Sequence, residues 1–344
     1  MAVSLRDVAD FCGLSLGTVS RALNGHPAVS SDTIDYVKKA ALKLGYVPNR
    51  AGRALSANKN PVHIGVVMPN SIYFNDVQSG MLQAARELSD LGLTLSLERP
   101  AYWEEKAHAQ TIDKLLDAGC NALCLCCPPS KLIEDKLSTL SQRSPAIPFG
   151  CVNHHSSHPD MQFFVGVDFY KSGRLAANLA TLHFGQREIH ALTVVGMLKL
   201  KGHRERQDGF KDELLRQHVN THLDGIIESF DDDHHAYQEV KTALRQRTEI
   251  NCLYVATGLA MEGTCHAIED SGRQDIFVIG TDDMLEIRPF LVSGAVQATI
   301  CQHPEQQGYQ GIKMLYNYKV TSGMVPKENL ILQPEVKLRA HFIA

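Results

Sequence analysis

The stretch LRDVADFCGLSLGTVSRAL, residues Leu5 to Leu23, decides the fold of the first part of the chain. Apolar residues recur on both sides of Gly13 at the spacing of a single helix face. Gly13 provides a turn, and Ser15 stands where the N-cap of a second helix belongs. The pattern therefore predicts two short helices joined at Gly13. The residues that should face inward are Leu5, Val8, Ala9, Val19 and Leu23.

The outward side of the second predicted helix carries small polar side chains and one arginine. Such a surface suits a helix whose first turns contact base edges in a major groove. This feature predicts a DNA-reading helix-turn-helix motif. Its outward residues are Leu16, Gly17, Thr18, Ser20 and Arg21.

A third helix should complete the helical head. Ser30 or Ser31 opens it, and Gly45 ends it. Its inward face is Ile34, Val37, Ala41 and Leu44. Three helices of this length predict an all-α DNA-binding headpiece over residues 1–48.

The charge distribution supports a nucleic-acid partner at one end only. The chain has 344 residues and a net charge of −4, yet residues 1–60 hold eight Lys or Arg against four acids, which leaves −8 on the remainder. A basic head on an acidic body favours phosphate binding at the head. The chain shows no signal peptide and no run near the roughly 18 apolar residues of a membrane helix. We therefore expect a cytoplasmic protein.

Nine cysteines and several paired histidines raise the question of a metal site. The run CNALCLCC does not match paired zinc-ligand spacing, and it reads as a buried strand in which Cys behaves as a small hydrophobe. The histidines are expected to lie in surface loops. We predict no metal and no cofactor. The residues concerned are Cys120, Cys124, Cys126, Cys127, His154, His155, His158, His234 and His235.

A linker follows the headpiece at residues 49–60. Val47-Pro48-Asn49 is an extended break, and residues 50–57 are compatible with a helix of about two turns. A helix this short is not stable alone in water. We expect it to become ordered only with a partner chain and DNA.

From His63 onward, strand and helix patterns alternate. Strands are predicted at HIGVVMP, LTLSLER, NALCLCC and IPFGCV, with helices at 80–91, 112–116 and 132–140; a second set runs from FFVGVDF to LILQPEVKL. Alternating units predict parallel sheets covered by helices. Two sets predict an α/β core of two Rossmann-like lobes, in which ligands bind at the carboxyl ends of the strands, in a cleft between the lobes.

Together these segments resemble transcription regulators of the LacI/GalR (lac repressor) family. The resemblance rests on LRDVADFCGLSLGTVSRALN with YVPNRAGRAL, and on VGVDFYKSG, RQDGF, VIGTDD and QATICQHPEQQG. It implies a periplasmic-binding-protein-like sensor core at 61–344. The expected N-lobe spans about 62–165 and 303–328, and the C-lobe about 166–302 and 329–344.

The resemblance also implies DNA contacts. Leu16 and Gly17 would set operator preference, and Leu55 would insert between base steps. Gly52, where the family usually has Ala, should weaken the hinge helix by up to about 1 kcal/mol. The full set implied to contact DNA is Leu16, Gly17, Thr18, Ser20, Arg21, Asn24, Arg50, Arg53 and Leu55.

For the effector, the resemblance to ribose-type binders implies two aromatic residues that stack on a sugar ring and several polar strand-end residues. Sugar hydroxyls need donors and acceptors, and sugar C–H faces pack on aromatic rings. Asp168 is expected to cap a helix, and Trp103 either roofs the cleft or packs under a loop. The implied contacts are Tyr73, Phe74, Asn153, His154, Arg206, Thr257, Asp282 and Gln302.

Two departures from the family concern the ligand. Thr257-Gly258 replaces a usual Asn-Asp, and Asn153-His154 replaces the Asp-Arg of ribose binders. The effector is therefore expected to be a different sugar, a polyol or a cyclitol, with phosphorylated forms left open.

The leading hypothesis is a homodimeric repressor of a carbohydrate-utilisation operon that binds a palindromic operator and is switched by its effector. Two alternatives stay open at this stage. One is a ligand-blind DNA-binding protein with a decayed sensor. The other is an enzyme acting on a carbohydrate, although no nucleophile elbow, phosphate loop or metal spacing is found.

Overall fold

A computed structural model describes residues 3–23, 29–46, 61–102, 104–217, 220–321 and 327–343. The described helices are Leu5–Cys12 (α1), Leu16–Leu23 (α2), Ser31–Leu44 (α3), Tyr73–Leu88 (α4), Glu105–Asp117 (α5), Lys131–Ser141 (α6), Phe169–Phe184 (α7), Lys201–Gln217 (α8), Asp233–Gln246 (α9), Met261–Ser271 (α10), Arg288–Ser293 (α11) and Pro304–Val320 (α12). Within these ranges, no helix is both long and apolar enough to cross a membrane.

The strands, in chain order, are Val62–Val67 (β1), Leu93–Glu98 (β2), Ala122–Leu125 (β3), Phe149–Val152 (β4), Phe164–Val167 (β5), Ile189–Val195 (β6), Thr221–Glu228 (β7), Cys252–Val255 (β8), Phe277–Thr281 (β9), Ala298–Cys301 (β10), Leu330–Leu332 (β11) and Glu335–Leu338 (β12). They form two six-stranded sheets, of order β11-β5-β4-β3-β1-β2 and β12-β10-β9-β8-β6-β7.

The headpiece has the predicted three helices. Ser4 and Asp7 cap α1 reciprocally, and Gly13 ends it in the left-handed conformation at φ 66°. Ser30 caps α3, and Gly45 ends it. Val8, Val19 and Val37 are fully buried in the small core that joins the helices, which confirms the predicted inward faces.

The remaining chain has the predicted α/β architecture. Residue contacts divide the chain into two compact units, one within 1–165 and 305–330, the other within 166–304 and 331–344. Parallel pairing runs from β2 through β1, β3 and β4 to β5 in the first sheet, and from β7 through β6, β8 and β9 to β10 in the second. The edge strand β12 is an exception to the predicted parallel pairing, because it pairs with β10 antiparallel.

The structure differs in detail from the prediction at several elements, among them the helix predicted at 112–116, which spans Glu105–Asp117. The helix expected from residue 80 begins at Tyr73, and its first residue is preceded by Ile72 with no side-chain cap, so the sequence carries no start signal there. The segment LILQPEVKL is two strands, because it breaks at Gln333-Pro334 and its halves join different sheets. The short helix α11 was not predicted; Pro289 stands in its first turn.

Glycines bring α7 and α8 of the second unit into very close contact. A Cβ added at Gly173 would lie 2.0 Å from the Arg206 carbonyl oxygen, and one added at Gly209 would lie 2.0 Å from the Tyr170 carbonyl oxygen. The backbones touch because neither glycine has a side chain. On the core side, Phe210 of α8 packs on Tyr254, with ring centroids 4.9 Å apart. This packing fixes the position of Arg206 on α8.

Candidate functional site

The second headpiece helix presents the predicted outward residues. Leu16 is 48% exposed and Gly17 and Arg21 are exposed, whereas Val19 behind them is fully buried. The Ser15 hydroxyl accepts from the Thr18 N–H at 3.1 Å, which caps the helix as predicted. The Thr18 hydroxyl also forms a hydrogen bond with the Ser15 hydroxyl, at 2.8 Å, so this side chain takes part in the cap.

Arg21 extends back along this helix. Its Nε donates to the Gly17 carbonyl oxygen at 3.1 Å, which leaves the terminal nitrogens of an exposed guanidinium directed to the surface. A DNA contact by these residues stays a prediction. Asn24, Arg50, Arg53 and Leu55, together with the hinge at 49–60 and Trp103, lie outside the described residues.

In the first unit, four predicted effector residues come together at the carboxyl edge of the sheet. Tyr73 and Phe74 open α4 after β1, and Asn153 and His154 follow β4. The Asn153 Nδ2 donates to the Tyr73 hydroxyl at 2.9 Å. The ring centroids of Phe74 and His154 are 5.9 Å apart, edge to face, and those of Tyr73 and Phe74 are 5.1 Å apart. We call these four residues the first cluster.

The backbone and protonation of the first cluster are also constrained. Asn153 has φ 63°, a left-handed conformation that asparagine tolerates better than most residues. His154 Nδ1 is 3.3 Å from the Cys126 carbonyl oxygen, and a carbonyl only accepts, so Nδ1 carries the proton in this contact. Nearby His108 is fully buried, and burial together with the charge of His154 lowers its pKa to about 4.

In the second unit, Thr257, Asp282 and Gln302 follow the carboxyl ends of β8, β9 and β10, Arg206 lies on α8, and all four residues are buried. The Gln302 Nε2 donates to both Asp282 carboxylate oxygens, at 2.9 and 3.0 Å. This bond joins the ends of β9 and β10 within one sheet. Together with Asp231, which bonds Thr257, these residues form the second cluster.

Asp231 was not predicted. It follows β7, and its Oδ1 accepts from the Thr257 hydroxyl at 2.8 Å. Its backbone, like that of Phe230 before it, is left-handed, with φ 56°. The sequence carries a signal for Asp231, because it follows a predicted strand just as Asp282 does.

Arg206 is held by one backbone bond and one ring. Its Nη1 donates to the Ala256 carbonyl oxygen at 3.2 Å, and its guanidinium carbon lies 4.8 Å from the centroid of Phe169. Phe169 also was not predicted. Asp168 caps α7 by accepting from the Lys171 N–H at 2.8 Å, as expected.

Cys124 and Cys151 lie in β3 and β4, whereas Cys120, Cys126 and the half-buried Cys127 lie just outside β3. Cys120, Cys124, Cys126 and Cys151 are buried, and burial raises the pKa of the Cys151 thiol to about 12. Within the described ranges, no three His, Cys, Asp or Glu side chains are arranged to bind a metal ion.

Of the histidines, His154 and His155 lie in a loop as expected. His158 is in the loop too, but its side chain is only 8% exposed and bonds Ser138. His234 and His235 were expected in a loop and instead form the first turn of α9, because Asp232 caps that helix.

Two family models match this architecture. The model described as bacterial regulatory proteins, lacI family, matches residues 4–49, and the model described as a periplasmic binding protein domain matches residues 64–321. The arrangement defines a class of protein in which a helix-turn-helix headpiece precedes a periplasmic-binding-protein-like body.

Relatives and solved structures agree. The HTH-type transcriptional regulator AglR of Rhizobium meliloti is 28% identical over 83% of this chain and 79% of its own length. The ribose operon repressor of Haemophilus influenzae is 23% identical over 98% and 97%. A solute binding protein of Burkholderia graminis, solved with D-arabinose, has the same fold, with a TM-score of 0.76, 15% identity and coverage of 83% and 97%. The chain belongs to the LacI/GalR family of transcription regulators.

Proposed function

We propose that this regulator represses a carbohydrate-utilisation operon and that a sugar-like effector controls its binding to DNA. The observation that carries the proposal is the presence, on one chain, of a helix-turn-helix headpiece and two sheets with polar and aromatic clusters at their carboxyl edges. In this account residues 1–48 read DNA, residues 49–60 act as the hinge, and residues 61–344 sense the effector.

The DNA-reading surface is the exposed side of α2. Arg21 supplies phosphate or base contacts, while Leu16, Gly17, Thr18 and Ser20 set how closely the helix approaches base edges. One headpiece buries little DNA surface, and a two-fold protein matches a two-fold operator. We therefore propose a homodimer on a palindromic operator, with Asn24, Arg50, Arg53 and Leu55 adding contacts.

The effector chemistry follows from the two clusters. Tyr73 and Phe74 offer aromatic surface for sugar C–H groups, and Asp282 and Arg206 offer an acceptor and a donor for hydroxyls. The similarity to the ribose operon repressor and to solute binding proteins solved with D-arabinose or myo-inositol supports a sugar, polyol or cyclitol. Asn153, His154, Thr257 and Gln302 would add hydrogen bonds.

The switch is a population shift. An effector that binds one conformation of the core more tightly than another shifts the population toward that conformation. It can change the free energy of operator binding by at most the difference between its own binding free energies for the two conformations. A regulator that acts on chromosomal operators works in the cytoplasm. The relatives are named as transcription regulators, so we propose binding rather than catalysis as the role of the clusters.

The test begins with selection of operator sequences from random duplex DNA by the purified full-length chain. Binding of the selected duplex is then measured with and without a panel of pentoses, hexoses, polyols and cyclitols. We expect a two-fold symmetric consensus and at least one compound that changes the dissociation constant about tenfold or more. Arg21→Ala should weaken binding of the selected duplex, whereas Asp117→Asn, an exposed change in α5, should leave it unchanged. A chain that binds the consensus but ignores every compound would refute effector control.

A further inference from the structure

We propose that the effector carries no negative charge and that Asp231 selects for this property. The inference rests on the proposed function, because it assumes that a small molecule binds the second cluster. It replaces the open choice between free and phosphorylated sugars with one chemical class: neutral polyhydroxyl compounds, including those with an amino group.

Asp231 is held in position by a hydrogen bond to Thr257 and by the space that Gly196 leaves. β6 lies between β7 and β8 in the sheet, so the Asp231 carboxylate reaches past the end of β6 to the Thr257 hydroxyl. Gly196 follows β6, and a Cβ there would lie 2.2 Å from Asp231 Oδ1. Any other residue at position 196 would displace the carboxylate. The glycine therefore keeps the place of this carboxylate open.

Asp282 is accommodated in the same way. A Cβ at Gly258 would lie 3.2 Å from Asp282 Oδ2 and 2.8 Å from the Met284 methyl carbon. Both carboxylates stand on left-handed backbone, with φ 56° at Asp231 and 70° at Asp282. Such conformations cost free energy and persist at ligand-binding sites because the surrounding structure imposes them.

A separate observation points to a ligand here. The Arg206 Nε is buried and has no hydrogen-bond partner among the described residues, and Arg206 as a whole is only 3% exposed. A buried donor without a partner is costly, and a bound acceptor removes that cost. The Arg206 Nη1 bond to Ala256 places this guanidinium beside Thr257 in the chain.

The charge balance then identifies the ligand class. Asp231 and Asp282 bring two negative charges and Arg206 one positive charge. His203, which lies with Asp231 against Gly196, accepts the Met197 N–H on its Nδ1 at 2.8 Å and is therefore neutral in this arrangement. The first cluster contains no carboxylate, lysine or arginine. The charged residues of the second cluster thus sum to −1.

A phosphorylated sugar would bring a further charge of about −1.5 to −2 to these carboxylates. Like charges that are brought together out of water repel strongly. A hydroxyl, in contrast, donates to a carboxylate and accepts from Arg206 at no charge cost, and an ammonium group is attracted. The cluster therefore favours neutral or amino-bearing compounds.

The test uses matched trios: D-glucose, D-glucosamine and D-glucose 6-phosphate, and the corresponding galactose and ribose series, with myo-inositol and its phosphate. Each is screened by thermal shift on the full chain, and hits are titrated by calorimetry. We expect every hit to be neutral or amino-bearing and its phosphate to bind at least about 30-fold more weakly. A phosphate that binds as tightly as its parent overturns the inference while leaving effector control intact. A panel with no hit overturns the proposed sugar effector, and this inference with it.

Asp231→Asn tests the residue itself, since asparagine tolerates left-handed backbone. The loss of a charge-assisted hydrogen bond should weaken binding of the neutral hit about tenfold or more. The ratio of the dissociation constant of the phosphate to that of the neutral compound should fall at least about fivefold. Thr257→Val, which removes the hydroxyl that holds Asp231, should give a smaller loss of the same kind. The control Asp275→Asn removes an exposed carboxylate paired with Arg273 and should change affinity less than twofold. Unchanged selectivity in both Asp231→Asn and Thr257→Val overturns the proposal.

Discussion

Replacing Gly209 by alanine should force α8 away from α7 and destabilise the second unit. The added Cβ would lie 2.0 Å from the Tyr170 carbonyl oxygen and 2.9 Å from its carbon. Contacts under 3.0 Å are essentially never adopted by real Cβ atoms, so one helix backbone must retreat by about 1 Å. Because both contacts are to backbone, no side chain can rotate away to relieve them.

The expected change in the free energy of unfolding of Gly209→Ala has three parts. Overpacking costs about 1–3 kcal/mol. The Arg206 Nη1 bond to Ala256, now 3.2 Å long, passes out of hydrogen-bond range if α8 moves by 1 Å, which costs about 1.5–3 kcal/mol for a charged donor. Alanine regains about 1 kcal/mol of helix propensity. The net loss is about 1.5–5 kcal/mol, and at about 2–4 °C per kcal/mol the melting temperature should fall by at least about 3 °C.

The measurement is thermal denaturation of the full chain, followed by circular dichroism. Gly202→Ala in the same helix is the matched control, because its Cβ would meet only the Phe169 ring, at 3.2 Å, and that ring can shift by a few tenths of an ångström. We expect the control to melt within about 2 °C of wild type. A Gly209→Ala protein as stable as the control would refute the close α7–α8 contact and the positioning of Arg206 that we derive from it.

Three further predictions concern the other sites. Burial lowers the pKa of His108 from 6.5 to about 4, so the unfolded chain takes up the proton first as the pH falls. The stability that neutral His108 contributes above pH 6.5 is therefore lost between pH 6.5 and 4, by about 3 kcal/mol. Thermal melts of His108→Gln should show a smaller loss of stability over that pH range than those of the wild type. Arg21→Ala should weaken operator binding and lower the slope of its salt dependence by about 1, and an unchanged slope in a filter-binding titration would exclude a phosphate contact. Asp282→Asn should weaken effector binding about tenfold or more in calorimetry while operator affinity without effector stays within about twofold; a normal effector response would remove Asp282 from the site.

The headpiece and the α/β class were predictable because their signals are local. Gly13 and Gly45 mark helix ends by their left-handed backbone, and Ser15 and Ser30 mark helix starts by their hydroxyls. The start of α4 at Tyr73 was not predictable in this way, since no side chain caps it. Local chemistry therefore fixes helix ends only where a cap or a glycine is required.

The candidate site was predictable only as far as it follows from strand ends. Asn153, Asp282 and Gln302 were predicted because each follows an apolar strand at a position that the resemblance to ribose-type binders assigns to ligand contact. The bond between Thr257 and Asp231 depends on β6 lying between β7 and β8, and strand order is set by tertiary packing rather than by any local pattern. The splitting of LILQPEVKL between two sheets was hidden for the same reason.

The central claim, that this chain couples small-molecule binding to DNA binding, is tested most directly by one titration. Fluorescence anisotropy of a labelled, selected operator duplex is measured against the full-length chain, with and without a saturating compound from the thermal-shift screen. We predict that the compound changes the operator dissociation constant by about tenfold or more while leaving binding to an unrelated duplex unchanged. Equal operator affinity with and without a compound that demonstrably binds the chain would contradict the account.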